Sequence, residues 1–185
     1  MQPTFAPWFG YLLLASKVDI FCFYDTARFS RQSFHQRNRF ICNNNQKWLT
    51  VPVENRFQRL NETRFNHASI TDLCNKLMSY YPNTNILDFY IEIISNFFCS
   101  TSNLAEANIN LINQIFKTFD IECVVKQTSK LKQCDNAIDQ IISVSNQLDC
   151  DTYLSPKGSE VYLKLDDIKK LNEDLTSGTE FIDLY

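Results

Sequence analysis

Only three glycines occur in 185 residues, and that scarcity excludes whole classes of chemistry. There is no GxGxxG and no GxxxxGKS/T, so neither a dinucleotide fingerprint nor a P-loop can be built. No GxSxG is present, which removes the α/β-hydrolase nucleophile elbow. Histidine is nearly absent: His35 and His67 stand alone, neither has a metal-ligand partner at helical spacing, and no metal site is expected. The seven cysteines are odd in number and show no CxxC spacing, which supports neither a zinc ribbon nor a disulfide framework. They read as small buried hydrophobes of a reducing, cytoplasmic compartment. No apolar run is long enough to span a membrane. The opening MQPTFAPWFGYLLLASK lacks a basic n-region and carries Pro3 and Pro7, so it is not read as a signal peptide.

One further absence is local. Between Asp25 and Glu54 there is no acidic residue, yet Arg28, Arg31, Arg37 and Arg39 lie there, in a chain of formal charge −3. The overall balance argues against a nucleic-acid partner. A basic segment in an acidic protein suits a small anionic ligand, or else a solvated face.

What the chain has in abundance is aromatic residues, 15 of them Phe, ample for a packed core. The length suits one domain, 1–185. A short helix is expected near Gly10, then a buried strand, VDIFCFYD. RNRFIC alternates, with Arg37, Arg39 and Ile41 on one face; NNNQ is a turn and KWLTVPV the next strand, so a β-hairpin is expected. From Ser69 the pattern turns helical: SITDLCNKLMSYY, stopped by Pro82; NILDFYIEIISNFF, apolar nearly all round and therefore a buried helix; and NLAEANINLINQIFKTF, with Asn103 and Glu106 spaced as a capping box. Asn108 is the polar exception on that helix, expected to reach a neighbouring backbone group. IECVVK, DTYLS and EFIDLY read as strands. LKQCDNAIDQIISVSNQL and EVYLKLDDIKKLN read as helices, the latter with Val161, Leu165 and Ile168 inward. The fold class is α/β: a mostly parallel sheet with flanking helices, a hairpin after the basic segment and a helical middle region.

Ligands of open α/β sheets bind at the carboxyl ends of strands, which singles out three places. Around QPTFAPWFGY, a helix start at Gly10 offers amide N–H groups to an anion and Trp8 and Tyr11 offer rings, or the segment is an aromatic-packed entry. Asp25, ending a strand, is placed as a general base or hydroxyl acceptor, or as a cap or ion-pair partner of Arg37 or Arg39. In YLSPKGSEVY, Ser155, Gly158 and Ser159 form a phosphate or sugar cradle, or an ordinary βα loop.

The linked stretches MQPTFAPWFGYLLLASKVDIFCFYD, RFSRQSFHQRNRF and QKWLTVPV, followed in order by LAEANINLINQIFKTFDIE and YLSPKGSEVYL, resemble the WbqC-like proteins over nearly the whole chain. The resemblance implies a bacterial protein of surface-polysaccharide, often O-antigen, biosynthesis. It makes Gln2, Pro3, Pro7, Trp8, Gly10, Tyr11, Asp25, Gln36, Arg37, Asn38, Arg39 and Gly158 signature positions. The chain departs from the family pattern at Thr26, where a second acid is usual, and at Arg28, Arg31, Phe34 and His35, the last a weak catalytic candidate. Family members also have residues before the Gln and beyond the last strand, so both ends are expected to be shortened here.

The implied activity is a transferase that modifies a nucleotide-activated amino sugar with an acyl or aminoacyl group. Asp25 is its catalytic group. Gln2, Trp8, Gly10, Tyr11, Gln36, Arg37, Asn38, Arg39, Ser155 and Gly158 bind the phosphate-bearing small molecule. The sequence names no cofactor. A non-catalytic binding module, or a partner subunit of a polysaccharide-pathway complex, is one alternative. A nucleotidylyltransferase-like enzyme is another, weakened because PWFGY lacks the histidines of HxGH.

Overall fold

A Pro-containing extended segment opens a chain of six α-helices and six short strands in the computed structural model, which describes residues 1–54, 58–81, 85–159 and 163–183. The helices are α1 (Phe9–Ala15), α2 (Ala68–Tyr80), α3 (Asn85–Ser100), α4 (Leu104–Thr118), α5 (Ala137–Gln147) and α6 (Leu165–Asp174). The strands are β1 (Ile20–Phe23), β2 (Arg37–Cys42), β3 (Asn45–Thr50), β4 (Val124–Gln127), β5 (Thr152–Pro156) and β6 (Gly178–Ile182). The class is α/β, with parallel and antiparallel pairing. Among the described residues the strands form three two-stranded sheets, β1–β4, β2–β3 and β5–β6, rather than joining in one. No helix among those residues is long and apolar enough to cross a membrane, and all seven cysteines are free thiols.

The backbone divides into two units, Met1–Pro7 with Phe23–Asp120, and Trp8–Cys22 with Ile121–Tyr185. In the first, α2, α3 and α4 pack with the hairpin around Phe5, Leu49, Val51, Leu60, Phe65, Phe98 and Leu104. Phe98 sits edge-on to Phe5, ring centroids 5.7 Å apart, and 5.2 Å from Phe65. Each ring is fully buried, so truncating any of them to alanine costs about 3–5 kcal/mol. The expectation that α3 is buried all round holds only in part. Ile93, Ile94 and Phe98 are buried, but Glu92, Asn96 and Cys99 on the same helix are exposed. Its polar residues recur at helical spacing and mark a solvent face.

Helix α4 starts where Asn103 accepts from the Glu106 N–H at 3.0 Å. The Glu106 carboxylate accepts from Thr101 Oγ1 at 2.7 Å instead of closing a capping box. Helix α2 ends at Tyr80; Pro82, the expected stop, lies outside the described residues. In the second unit β5 and β6 run parallel, Thr152 opposite Gly178. Helix α6 begins at Leu165, later than expected, and buries Leu171, while Leu175 just beyond it is also buried; Val161 is outside the described residues. Asn136 caps α5 by accepting from the Asp139 N–H at 2.8 Å.

The hairpin carries Arg37 and Arg39 of the basic segment. Cys42 pairs with Asn45, leaving Asn43 and Asn44 as a two-residue loop. Both have positive φ, 49° and 60°, as a type I′ turn requires, and Asn tolerates this region better than any residue but Gly. Asn44→Gly is therefore expected to raise stability by a few tenths of a kcal/mol, and Asn44→Val to lower it by roughly 1–2 kcal/mol. Urea midpoints at unchanged m-value report both; a valine variant as stable as the parent would contradict the turn assignment.

Candidate functional site

Alternation along β2 sorts the signature residues into two functions. Successive side chains on a strand point to opposite faces. Gln36, just before β2, and Asn38 turn inward, where their amides hold backbone. Gln36 is buried; its Nε2 donates to the Val51 carbonyl at 3.1 Å and its Oε1 accepts from the Gln32 N–H at 3.4 Å. Asn38 Nδ2 donates to the carbonyls of Phe5 and Ala6. Ala6 has φ 48°, a left-handed conformation that a non-glycine residue keeps only when its surroundings impose it. Asn108 of α4, wholly buried, donates to the His35 carbonyl at 2.8 Å, the backbone contact its sequence position suggested. These bonds fix the first seven residues against the loop that leads into the hairpin.

Gln2 and His35 belong to the same scaffold. His35 is buried, its Nδ1 accepts from the Ser30 N–H at 3.3 Å, and its Nε2 lies 2.7 Å from Gln2 Oε1. The backbone donor makes Nδ1 the acceptor, so Nε2 carries the proton and donates to Gln2. Burial lowers the His35 pKa from 6.5 to about 4, because desolvation disfavours the imidazolium. Asp25 is buried too, 2 % exposed; its main-chain carbonyl accepts from the Asn61 N–H at 3.0 Å.

Arg37 and Arg39 face outward, with Ile41 and with the cross-strand residues Gln46, Trp48 and Thr50. Trp48 is opposite Arg39, and the guanidinium carbons of Arg37 and Arg39 lie 4.0 and 5.1 Å from the centre of its ring. The two carbons are thus within about 9 Å of each other. Neither arginine has an acidic partner among the described residues; Arg39 donates to Gln46 Oε1 at 3.0 Å, and the buried Arg37 Nε has no hydrogen-bond acceptor. Even at about 9 Å, the largest separation these contacts allow, two unit charges repel by about 0.5 kcal/mol in water and about 1.8 kcal/mol at an effective dielectric of 20. Each cation–π contact returns about 0.5–1 kcal/mol. Repulsion and ring contacts nearly cancel, and among the described residues no carboxylate neutralises the two guanidiniums. Trp48 was not among the site residues read from sequence, although pairing it across the expected hairpin places it opposite Arg39.

The remaining sequence candidates lie in the second unit. Tyr11 is 1 % exposed, packed 5.4 Å from the Phe21 ring, and burial raises its pKa. It is part of the core rather than of a surface that meets ligand. Trp8 is partly exposed, and its ring covers Gly10: a Cβ there would fall 2.0 Å from the indole. Gly10 thus gives the indole room to lie on the first turn of α1. The Ser155 hydroxyl is buried and hydrogen-bonded to that of Ser159, which also meets the Pro156 carbonyl at 2.6 Å. Gly158 faces open space, with no atom within 4 Å of where a Cβ would stand. Among the described residues no cluster of His, Cys, Asp and Glu could hold a metal ion.

Two outcomes follow from this geometry. The folded His35 binds its proton about 2.5 units more weakly than the unfolded one, so the unfolded state takes up more protons between these values. Its contribution is present above pH 6.5 and is lost as pH falls through 4, on the order of 3 kcal/mol in all. Urea unfolding of the parent and of His35→Gln across pH 4–7 measures this; equal pH slopes would rule it out. Gly158→Ala is expected to change the melting temperature by no more than about 2 °C, since nothing is displaced, and a calorimetric scan checks it.

Comparison with known proteins places the chain in a family. The profile of the WbqC-like protein family matches residues 2–177. A segment of 66 residues is 36% identical to the uncharacterized protein Rv1507c of Mycobacterium tuberculosis, covering 34% of this chain and 29% of that relative. No solved structure matches the chain. With nearly its whole length inside the family profile, the chain belongs to the WbqC-like protein family.

Proposed function

We propose that this protein is a transferase of surface-polysaccharide (O-antigen) biosynthesis, working in the cytoplasm on a nucleotide-activated amino sugar, and that the outward face of the β2–β3 hairpin holds the phosphates. One observation carries the reading: two guanidiniums share the Trp48 ring, and among the described residues no acid neutralises them. A diphosphate supplies the missing charge, and the forked guanidinium matches phosphate oxygens in pairs. Gln2, Gln36 and Asn38 serve by holding the loop and strand that aim the arginines, not by touching ligand. Transfer of an acyl or aminoacyl group to the sugar amine is the chemistry that the family resemblance suggests for the bound molecule.

A second reading has its own support. The outward face, Arg37, Arg39, Ile41, Gln46, Trp48 and Thr50, carries no group that exchanges a proton near neutral pH, and Asp25 is buried. This favours a module that binds the phosphate-bearing molecule and leaves the reaction to a partner protein of the pathway.

The test is thermal unfolding against UDP- and dTDP-sugars, amino sugars included, with the Arg37→Ala/Arg39→Ala variant in parallel. At a hundredfold excess over Kd, binding adds about 2.7 kcal/mol, equivalent to a rise of roughly 5–10 °C for a chain of this size. The parent is expected to show that rise with at least one sugar nucleotide. The variant is expected to stay folded, within about 1–2 kcal/mol of the parent because no buried ion pair is lost, and to show no rise. No shift with any member of the panel would set the nucleotide-sugar reading aside.

A further inference from the structure

The loop entering the hairpin presents a second ring beside the arginines. Phe34 is half exposed, and its ring centroid lies 6.2 Å from that of Trp48 at an interplanar angle of 46°. Its backbone is held in place: the Phe34 carbonyl accepts from the Phe5 N–H at 2.9 Å. The loop is cross-braced by Ser33 Oγ donating to the Ser30 carbonyl at 2.6 Å and by the Gln32 N–H bonded to Gln36. A large apolar ring left in solvent on a fixed loop can receive a ligand without an ordering cost of its own. It cannot be one slice of a sandwich with Trp48, since 6.2 Å between centroids leaves no room for a ring between them; a ligand ring would rest on its outward side.

The two arginines are not equivalent. Arg39 is oriented by Gln46 and is exposed. Arg37 is partly buried, stacked closer on Trp48, and its Nε is the donor without an acceptor. Because Nε is closed to solvent, an oxyanion meets Arg37 at its terminal nitrogens, where the guanidinium fork still offers two parallel donors.

We infer that the face binds a phosphate ester that carries a ring, with Arg37 holding the phosphoryl oxygens through its terminal nitrogens, Arg39 adding charge from the position Gln46 sets, and Phe34 serving as the platform for the ring. This rests on the phosphate reading of the same face and goes beyond it by assigning affinity for the ring to Phe34. The platform thus lies in the first unit, whereas the sequence had pointed to Trp8 and Tyr11. Phe34 separates ring-bearing phosphates from inorganic ones, a distinction that the arginines alone cannot make because both kinds of ligand offer the same oxygens.

Isothermal titration of the full chain tests it with three probes, pyrophosphate, UDP and glucosamine 1-phosphate, on the parent, Phe34→Ala, Phe34→Leu and Arg37→Lys. Melting temperatures without ligand confirm that each variant is folded. The parent is expected to bind at least one ring-bearing probe more tightly than pyrophosphate. Phe34→Ala should weaken that probe by about fivefold or more, the range of a lost stacking contact, and leave pyrophosphate unchanged, with Phe34→Leu in between. Arg37→Lys should weaken every probe by about tenfold, because the point charge is kept and the fork is lost. A preference for UDP would make the ring a nucleobase; one for glucosamine 1-phosphate would make it the sugar. Ring-bearing probes that bind independently of Phe34 would overturn this inference while leaving the phosphate reading standing. Equal weakening of pyrophosphate by Phe34→Ala would overturn it too, as loop damage. Failure of all three probes to bind, pyrophosphate included, would remove both.

Discussion

Hydrogen bonds from buried amide side chains to backbone carbonyls are the constraint on which the first unit depends. The segment Met1–Pro7 contributes no helix or strand, so its backbone groups need partners from elsewhere. Asn38 reaches Phe5 and Ala6, Asn108 reaches His35, and Gln36 reaches Val51. Each contact is worth only about 1 kcal/mol net, but leaving a partner buried and unsatisfied costs about 1–3 kcal/mol. This asymmetry makes the segment, the loop and the hairpin one construction rather than three. It also explains the neutral His35, which occupies a polar position between the loop and Gln2 where an imidazolium would be desolvated.

The strand converts this scaffold into a surface. Because side chains alternate along β2, the inward Asn38 places both its neighbours, Arg37 and Arg39, outward. Pairing with β3 then adds Trp48 across from Arg39. The result is concentrated positive charge on an aromatic base, in a chain whose net charge is negative.

Legibility from the sequence differed between the two levels. Helices α2 to α6 showed in apolar spacing and caps, and the hairpin in alternation around an Asn-rich turn, because those signals are local. The separate sheets were not legible. β5 and β6 pair with each other, β1 with β4, and strand order depends on contacts between distant segments that no single window encodes. Among the site residues, the sequence could group Gln36 to Arg39 but could not tell a residue that holds backbone from one that meets ligand. Tyr11 shows the same limit from the other side: an aromatic at a loop–helix junction reads as a binding ring until its burial against Phe21 is seen.

By itself, then, the sequence determined the α/β class, the elements, the family and the presence of an isolated basic segment, since composition, periodicity and linked motifs are properties of the chain read in order. Only the tertiary structure decided that Gln36, Asn38 and Asn108 hold backbone, that Gln2 meets the His35 ring, that Asp25 and Tyr11 are buried, and that Trp48 and Phe34 stand beside the arginines. Burial and proximity arise from segments far apart in the chain packing together, and the free energy of a polar side chain depends on which of its neighbours are protein and which are water.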